Sequence, residues 1–76
     1  MSDETQKELR GKIPALRFFE YDHLPPGTLR ATSKSICDIA YAMADALPMS
    51  AELSAGIRKL LEAKDCLVRA CLPPLD

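Results

Sequence analysis

The feature that most constrains the fold is a long stretch of helical periodicity between residues 50 and 72. At 100° per residue, one side of this stretch is apolar and the other is charged. The stretch therefore predicts an amphipathic helix about 30 Å long, with Ser50 as its N-cap. Lys64 lies near the middle of the apolar side. We expect its ammonium to pair with a carboxylate, in the same chain or in a neighbouring subunit, with direct phosphate contact as the alternative. The apolar side consists of Leu53, Ile57, Leu60, Leu61, Leu67, Val68 and Cys71.

A second amphipathic helix is predicted from about Thr28 to Leu47. The rigid turn at residues 25–27 precedes it, and the Leu47-Pro48 step ends it because a residue before proline disfavours the helical region. Two helices with a short connection predict an all-α fold built on an antiparallel helical hairpin. Two helices alone leave much apolar surface facing water, so we expect a homo-oligomer. The predicted apolar side of this helix is Leu29, Ile36, Ile39, Ala40, Met43 and Leu47.

The N-terminal part of the chain has weaker signals. Residues 1–13 are polar and predict a flexible or weakly helical arm, with a helix from Ser2 or Asp3 through Leu9 that Gly11 and Pro14 end. Residues 14–76 then form a single helical-hairpin domain. Residues 15–24 hold three of the four aromatic residues. We expect Phe18 and Phe19 to cap the core of the hairpin, whereas Tyr21 is equally suited to the core and to a ligand.

Composition excludes several classes of function. The chain has 76 residues and a net charge of −1, which indicates one small domain and argues against binding to long nucleic acid. No apolar run is long enough to span a bilayer, and the charged start carries no signal peptide, so we expect a cytoplasmic protein without membrane contact. Three cysteines without a CxxC pair and a single histidine support neither a disulfide framework nor a zinc site. We expect no metal and no cofactor.

Candidates for catalysis are few. The chain has one histidine and lacks nucleophile-elbow, phosphate-loop and HExxH patterns. Glu62 and Asp65 could suggest a metal pair, but Arg58 precedes the first by four residues and Arg69 follows the second by four. This spacing is typical of a solvent-exposed helix face with ion pairs. We therefore expect a protein that is not an enzyme.

The start of the second helix has the stronger signal for binding. A phosphate is bound by helix-start donors, hydroxyls and a cation, and a base stacks on an aromatic ring or a guanidinium. The chain offers both sets close together, which suits a small nucleotide. The alternative is a serine-rich helix start with an incidental lysine, although Ser33 falls on the apolar side of its helix. The candidate ligand-binding residues are Tyr21, His23, Arg30, Ser33 and Lys34, beside the hydroxyls of Thr32 and Ser35.

Two parts of the sequence resemble a known family. The segment FEYDHLPP (residues 19–26), together with IRKLLEAKD (57–65) and VRA (68–70), is similar to small phage proteins of the anti-CBASS sponge group. The hairpin domain of that group is shared with anti-Thoeris sponges. The resemblance covers about residues 18–71. It implies a helical hexamer in the cytoplasm of the infected bacterial host. Such a protein would sequester cyclic oligonucleotide second messengers without turnover, so that CBASS effectors are not activated.

The resemblance also implies which residues hold the ligand. A cyclic dinucleotide would lie between subunits, held by Tyr21 and Lys34. Phe19 is the alternative match to the aromatic position of the family. Arginines at a three-fold axis would bind cyclic trinucleotides, and Arg58 and Arg69 are the counterparts here. Residues 54–56 (Ser-Ala-Gly) depart from the family pattern, and we expect the glycine of that turn to have a close-packing reason.

Two other functions compete with the sponge. The first is an oligomeric helical interaction module that binds a host protein through Phe18, Phe19 and the N-terminal arm. Such a module would not need the hydroxyls and lysine at the start of the second helix. The other is a phosphodiesterase, for which the chain lacks metal ligands and a convincing base.

Overall fold

Three α-helices and a short 3-10 turn make up the fold. A computed structural model describes residues 1–73, in which α1 is Asp3–Lys12, α2 is Thr28–Ala46 and α3 is Ala51–Ala70. The 3-10 turn is Pro14–Phe18. The described residues contain no strand, so the predicted all-helical class is confirmed. α2 and α3 pack against each other, joined by the short connection at residues 47–50. The last three residues of the predicted domain of residues 14–76 lie outside the described residues.

Local signals account for the ends of the helices. The Ser50 hydroxyl accepts a hydrogen bond from the Leu53 amide at 3.0 Å, so this residue is the N-cap of α3 as predicted. Gly27 precedes α2 with φ of +124°, a conformation that residues with a side chain rarely adopt. α1 runs past Gly11 to Lys12 and stops because Ile13 precedes a proline. Gly11 itself does not end the helix.

The N-terminal elements supply a large part of the core. Leu9 of α1 is 7% exposed and Ile13 is 3% exposed, while Leu16 of the 3-10 turn is fully buried. These side chains share one core cluster with Tyr41 of α2 and with Ile36 and Ala40, two residues of its predicted apolar side. Three residues of that predicted side remain half exposed in this chain: Ile39, Met43 and Leu47.

The two neighbouring phenylalanines have opposite environments. Phe19 is 3% exposed and belongs to the core, as predicted. Phe18 is 53% exposed, so the expectation that it caps the core is wrong. It ends the 3-10 turn, where consecutive side chains point in different directions, and the Arg17 guanidinium lies over its ring at 5.0 Å from the centroid.

Lys64 is buried within the apolar side of α3, at 9% exposure. Its Nζ donates a hydrogen bond to the backbone carbonyl of Phe18 at 3.2 Å. Within residues 1–73 its partner is this carbonyl and not the expected carboxylate. The lysine thereby ties the end of the 3-10 turn to α3.

An apolar groove of about 510 Å³ lies between α2 and α3 near their connection. Ile39, Met43 and Leu47 line one side of it, and Gly56 and Leu60 line the other. Apart from its own helix backbone, a Cβ added at Gly56 would meet no atom of residues 1–73 within 4 Å, so these residues do not make the expected close packing. We call this surface the apolar groove.

Candidate ligand-binding site

The structure brings Tyr21 and Lys34 together. Tyr21 lies in the loop before α2, half-buried against the edge of the core. Lys34 lies in the second turn of α2, and its Nζ is 5.7 Å from the centroid of the tyrosine ring. An ammonium at this distance from an aromatic face is attracted by the electrons of the ring. The two residues expected to hold a base and a phosphate are therefore neighbours.

Lys34 has a second contact, with Asp38 one turn later in α2. Its Nζ lies 2.6 Å from the Asp38 carboxylate. The hydrogen bond to Asp38, followed by the charge of that carboxylate, raises the pKa of the lysine, which is therefore protonated at neutral pH. Both side chains are about half exposed, at 52% and 58%. Water competes with an exposed ion pair, so an incoming phosphate can displace this carboxylate at little cost.

Ser33 supports the loop that carries Tyr21. Its side chain is fully buried, and its hydroxyl donates to the Glu20 carbonyl at 3.1 Å. The position of Ser33 on the apolar side of its helix was the signal for a contact, and the contact is with the backbone next to Tyr21. In this conformation the hydroxyl is not open to a ligand.

Burial distinguishes Tyr21 from Phe19 as the aromatic residue that could contact a ligand. Both residues line the same groove, but Phe19 is 3% exposed and belongs to the core, whereas Tyr21 is half-buried. Of these two rings, that of Tyr21 is the one that a ligand can reach.

The remaining candidates in the loop and on α2 lie at the surface. His23 is exposed and lines the same groove as Tyr21. The guanidinium of Arg30 lies 3.5 Å from the Asp22 carboxylate, so it is held against the loop. Asp22 is 86% exposed, which makes this pair weak.

Arg58 and Arg69 lie on the exposed side of α3. Eleven residues separate them, which is about 16 Å along a helix but nearly the same angular direction. The guanidinium of Arg69 contacts the sulfur of Cys66 at 3.5 Å. The two arginines share one face of α3 but do not form a cluster within one chain.

Tyr21 and His23 line an open groove of about 970 Å³, which we call the polar groove. Arg10 and Tyr41 are among the lining residues that were not identified from the sequence. Arg10 of α1 donates from Nη1 to the hydroxyl of Tyr41 at 3.1 Å, and that hydroxyl donates to the Leu16 carbonyl at 3.4 Å. The arm was predicted to be flexible or weakly helical, and no sequence signal placed Arg10 beside α2.

Comparison of the chain with protein-family models, with curated proteins and with solved structures finds no match. Among residues 1–73, no group of three or more His, Cys, Asp or Glu side chains is arranged to hold a metal ion. None of the helices described combines the length and apolarity required to cross a membrane.

Proposed function

We propose that this protein is a non-enzymatic phage anti-defence sponge. It binds cyclic di- and trinucleotide second messengers in the cytoplasm of the infected bacterium and thereby prevents activation of CBASS effectors. The observation that carries the proposal is the position of the Lys34 ammonium over the Tyr21 ring, at the start of α2 and beside the polar groove. The resemblance in residues 18–71 supplies the class of ligand.

The chemistry of this pair suits a nucleotide. A base stacks on an exposed aromatic ring with about 1–3 kcal/mol per base, whatever its identity. Lys34 stays charged at neutral pH and can neutralise a phosphate next to that base. The protein then acts by mass action, because each occupied site removes one messenger molecule from the free pool. No bond of the ligand is broken.

Self-association is part of the proposal. The apolar groove leaves Ile39, Met43 and Leu47 between 43% and 50% exposed, and a second copy would cover them. Gly56 offers open space for a close approach in the same place. Arg58 and Arg69 lie about 16 Å apart along α3, so the proposed trinucleotide site combines arginines from several copies. Native mass spectrometry tests the hexamer directly.

A recovery experiment tests the sponge. A mixture of cyclic dinucleotides is incubated with the protein, the free pool is measured after ultrafiltration, and the protein is then denatured by heat. The sponge predicts that a bound species disappears from the filtrate and returns chemically intact. Recovery of a linear product would instead indicate a phosphodiesterase, and an unchanged filtrate would refute binding.

Variants connect the binding to the site. Tyr21→Ala removes the stacking surface and Lys34→Gln removes the cation, so each should weaken binding by about tenfold or more. Lys59→Gln is the matched control, because it removes an exposed lysine of α3 outside the site. If this control loses as much affinity as Lys34→Gln, the site lies elsewhere.

A helical interaction module remains the second candidate, because Phe18 is 53% exposed and presents an aromatic surface together with Arg17. Phe19 is buried and is not available to such a partner. Calorimetry with a panel of cyclic nucleotides separates the two functions. Absence of heat across the panel, with retained binding of a host protein that Phe18→Ser abolishes, would favour the module.

A further inference from the structure

The charges around the polar groove are unevenly compensated. Two of its lining carboxylates already have cationic partners that do not line it: Asp22 is near Arg30 and Asp38 is bonded to Lys34. Three other charged residues line the groove and make no ion pair within residues 1–73: Glu20, Arg17 and, on α1, Arg10. The groove thus has a guanidinium available for an anion on the side formed by α1.

Arg10 is held in place by a neutral partner. Its Nη1 donates to the Tyr41 hydroxyl at 3.1 Å, and Tyr41 is itself 8% exposed and bonded to the Leu16 carbonyl. This contact uses one of the several N–H donors of the guanidinium and none of its charge. A side chain fixed in this way loses little conformational entropy when it binds a ligand.

Lys34 lies next to the polar groove. It does not line the polar groove, but both of its contacts, Tyr21 and Asp38, do. A ligand whose base stacks on Tyr21 next to Lys34 would therefore occupy the groove that Arg10 also lines. At about 970 Å³, the groove is at the upper end of the 300–1,000 Å³ typical of small-molecule sites.

We propose that Arg10 is a second phosphate-binding residue, so that the site selects ligands that carry two phosphates. This inference rests on the proposed function, since it places that ligand in the polar groove. It assigns a binding role to α1, which neither the helix start nor the loop before it provides. A guanidinium suits this role because its planar donors match two oxygens of one phosphate.

The test compares ligands with two phosphates and with one. Affinities of the wild type and of Arg10→Gln are measured by NMR titration against cyclic dinucleotides and against cyclic mononucleotides with the same bases. Loss of a charge-assisted contact predicts about a tenfold to hundredfold weaker dinucleotide binding for the variant. Mononucleotide binding at Tyr21 and Lys34 should change less than about twofold. Arg10→Lys keeps the charge and should restore part of the dinucleotide affinity, and Lys7→Gln on the same helix should leave both affinities unchanged.

The outcomes separate this inference from the function on which it rests. Failure of the wild type to bind any nucleotide refutes both. If the wild type binds and Arg10→Gln binds with the same affinity, the role of Arg10 alone is refuted. An equal loss of affinity for dinucleotides and mononucleotides also refutes it, because it indicates a structural effect. Because the substitution also removes a contact to Tyr41, chemical protection in the wild type provides an independent measurement. A bound dinucleotide should slow modification of Arg10 by phenylglyoxal, and an unaltered rate would overturn the assignment.

Discussion

The Tyr41 hydroxyl joins three elements, and its removal should measurably weaken the fold. It accepts a hydrogen bond from Arg10 of α1 and donates one to the Leu16 carbonyl in the 3-10 turn, while its own helix is α2. Tyr41→Phe deletes this single oxygen and keeps the buried ring. The expected result is a lower free energy of unfolding with an unchanged helical content.

The loss of stability in Tyr41→Phe depends on which hydrogen bonds remain for the two partners of the hydroxyl. The Leu16 carbonyl still accepts from the Phe19 amide at 3.0 Å, so it does not become a buried acceptor without a partner. The bond from Tyr41 to this carbonyl is long, at 3.4 Å, and the Arg10 side chain can turn to water. The cost is then about 1–2 kcal/mol, less than the roughly 2–4.5 kcal/mol that one ordinary and one charge-assisted hydrogen bond contribute at full strength. A domain of 76 residues has a total stability of about 4–11 kcal/mol, so this loss is a sizeable fraction.

The same chemical change at Tyr21 is the control. The Tyr21 hydroxyl makes no hydrogen bond to another group within residues 1–73, and Tyr21→Phe should change stability by less than about 0.5 kcal/mol. Urea denaturation followed by circular dichroism measures both variants, and thermal melting should show a drop of about 4–8 °C per kcal/mol. If the two variants are equally stable, the reasoning about Tyr41 is refuted.

Three further predictions concern other parts of the molecule. Ser50→Ala removes the N-cap of α3 and should cost about 1 kcal/mol in urea denaturation, and a neutral result would mean that the cap contributes nothing. Lys64→Met keeps the apolar stem and removes one hydrogen bond to a carbonyl, so the loss should be about 1 kcal/mol; the 3–5 kcal/mol typical of a broken buried ion pair would indicate a carboxylate partner. Burial raises the pKa of the Cys37 thiol above its ordinary value of 9.0, against opposing effects of Lys64 and of a hydrogen bond with Ser33. In the unfolded chain the Cys37 thiol ionises at a lower pH than in the folded protein, so the free energy of unfolding should fall as pH rises through about 9. In a labelling experiment with iodoacetamide at pH 8, followed by mass spectrometry, the exposed Cys66 should react well before Cys37.

Parts of the candidate site could be predicted from the sequence because their signals are local. Tyr21 and Lys34 were identified from an aromatic residue before a helix and a lysine near the start of that helix, and the structure places them in contact. Ser33 was recognised as unusual because a hydroxyl fell on an apolar side. Its partner, the Glu20 carbonyl, could not be identified, since loop carbonyls have no sequence signature. Arg10 was missed because its neighbour Tyr41 is 31 residues away in the chain.

The sequence by itself determined the two long helices and their ends. Periodicity, the Ser50 cap and the proline steps act within a few residues, so they need no knowledge of distant partners. Only the tertiary structure decided which side of α2 is buried. The N-terminal helix and the 3-10 turn cover the side that carries Tyr41 and leave Ile39 exposed, because an amphipathic helix with apolar residues on more than one side takes the orientation that its neighbours bury best. The same packing turns Lys64 towards the Phe18 carbonyl and places Arg10 at the polar groove.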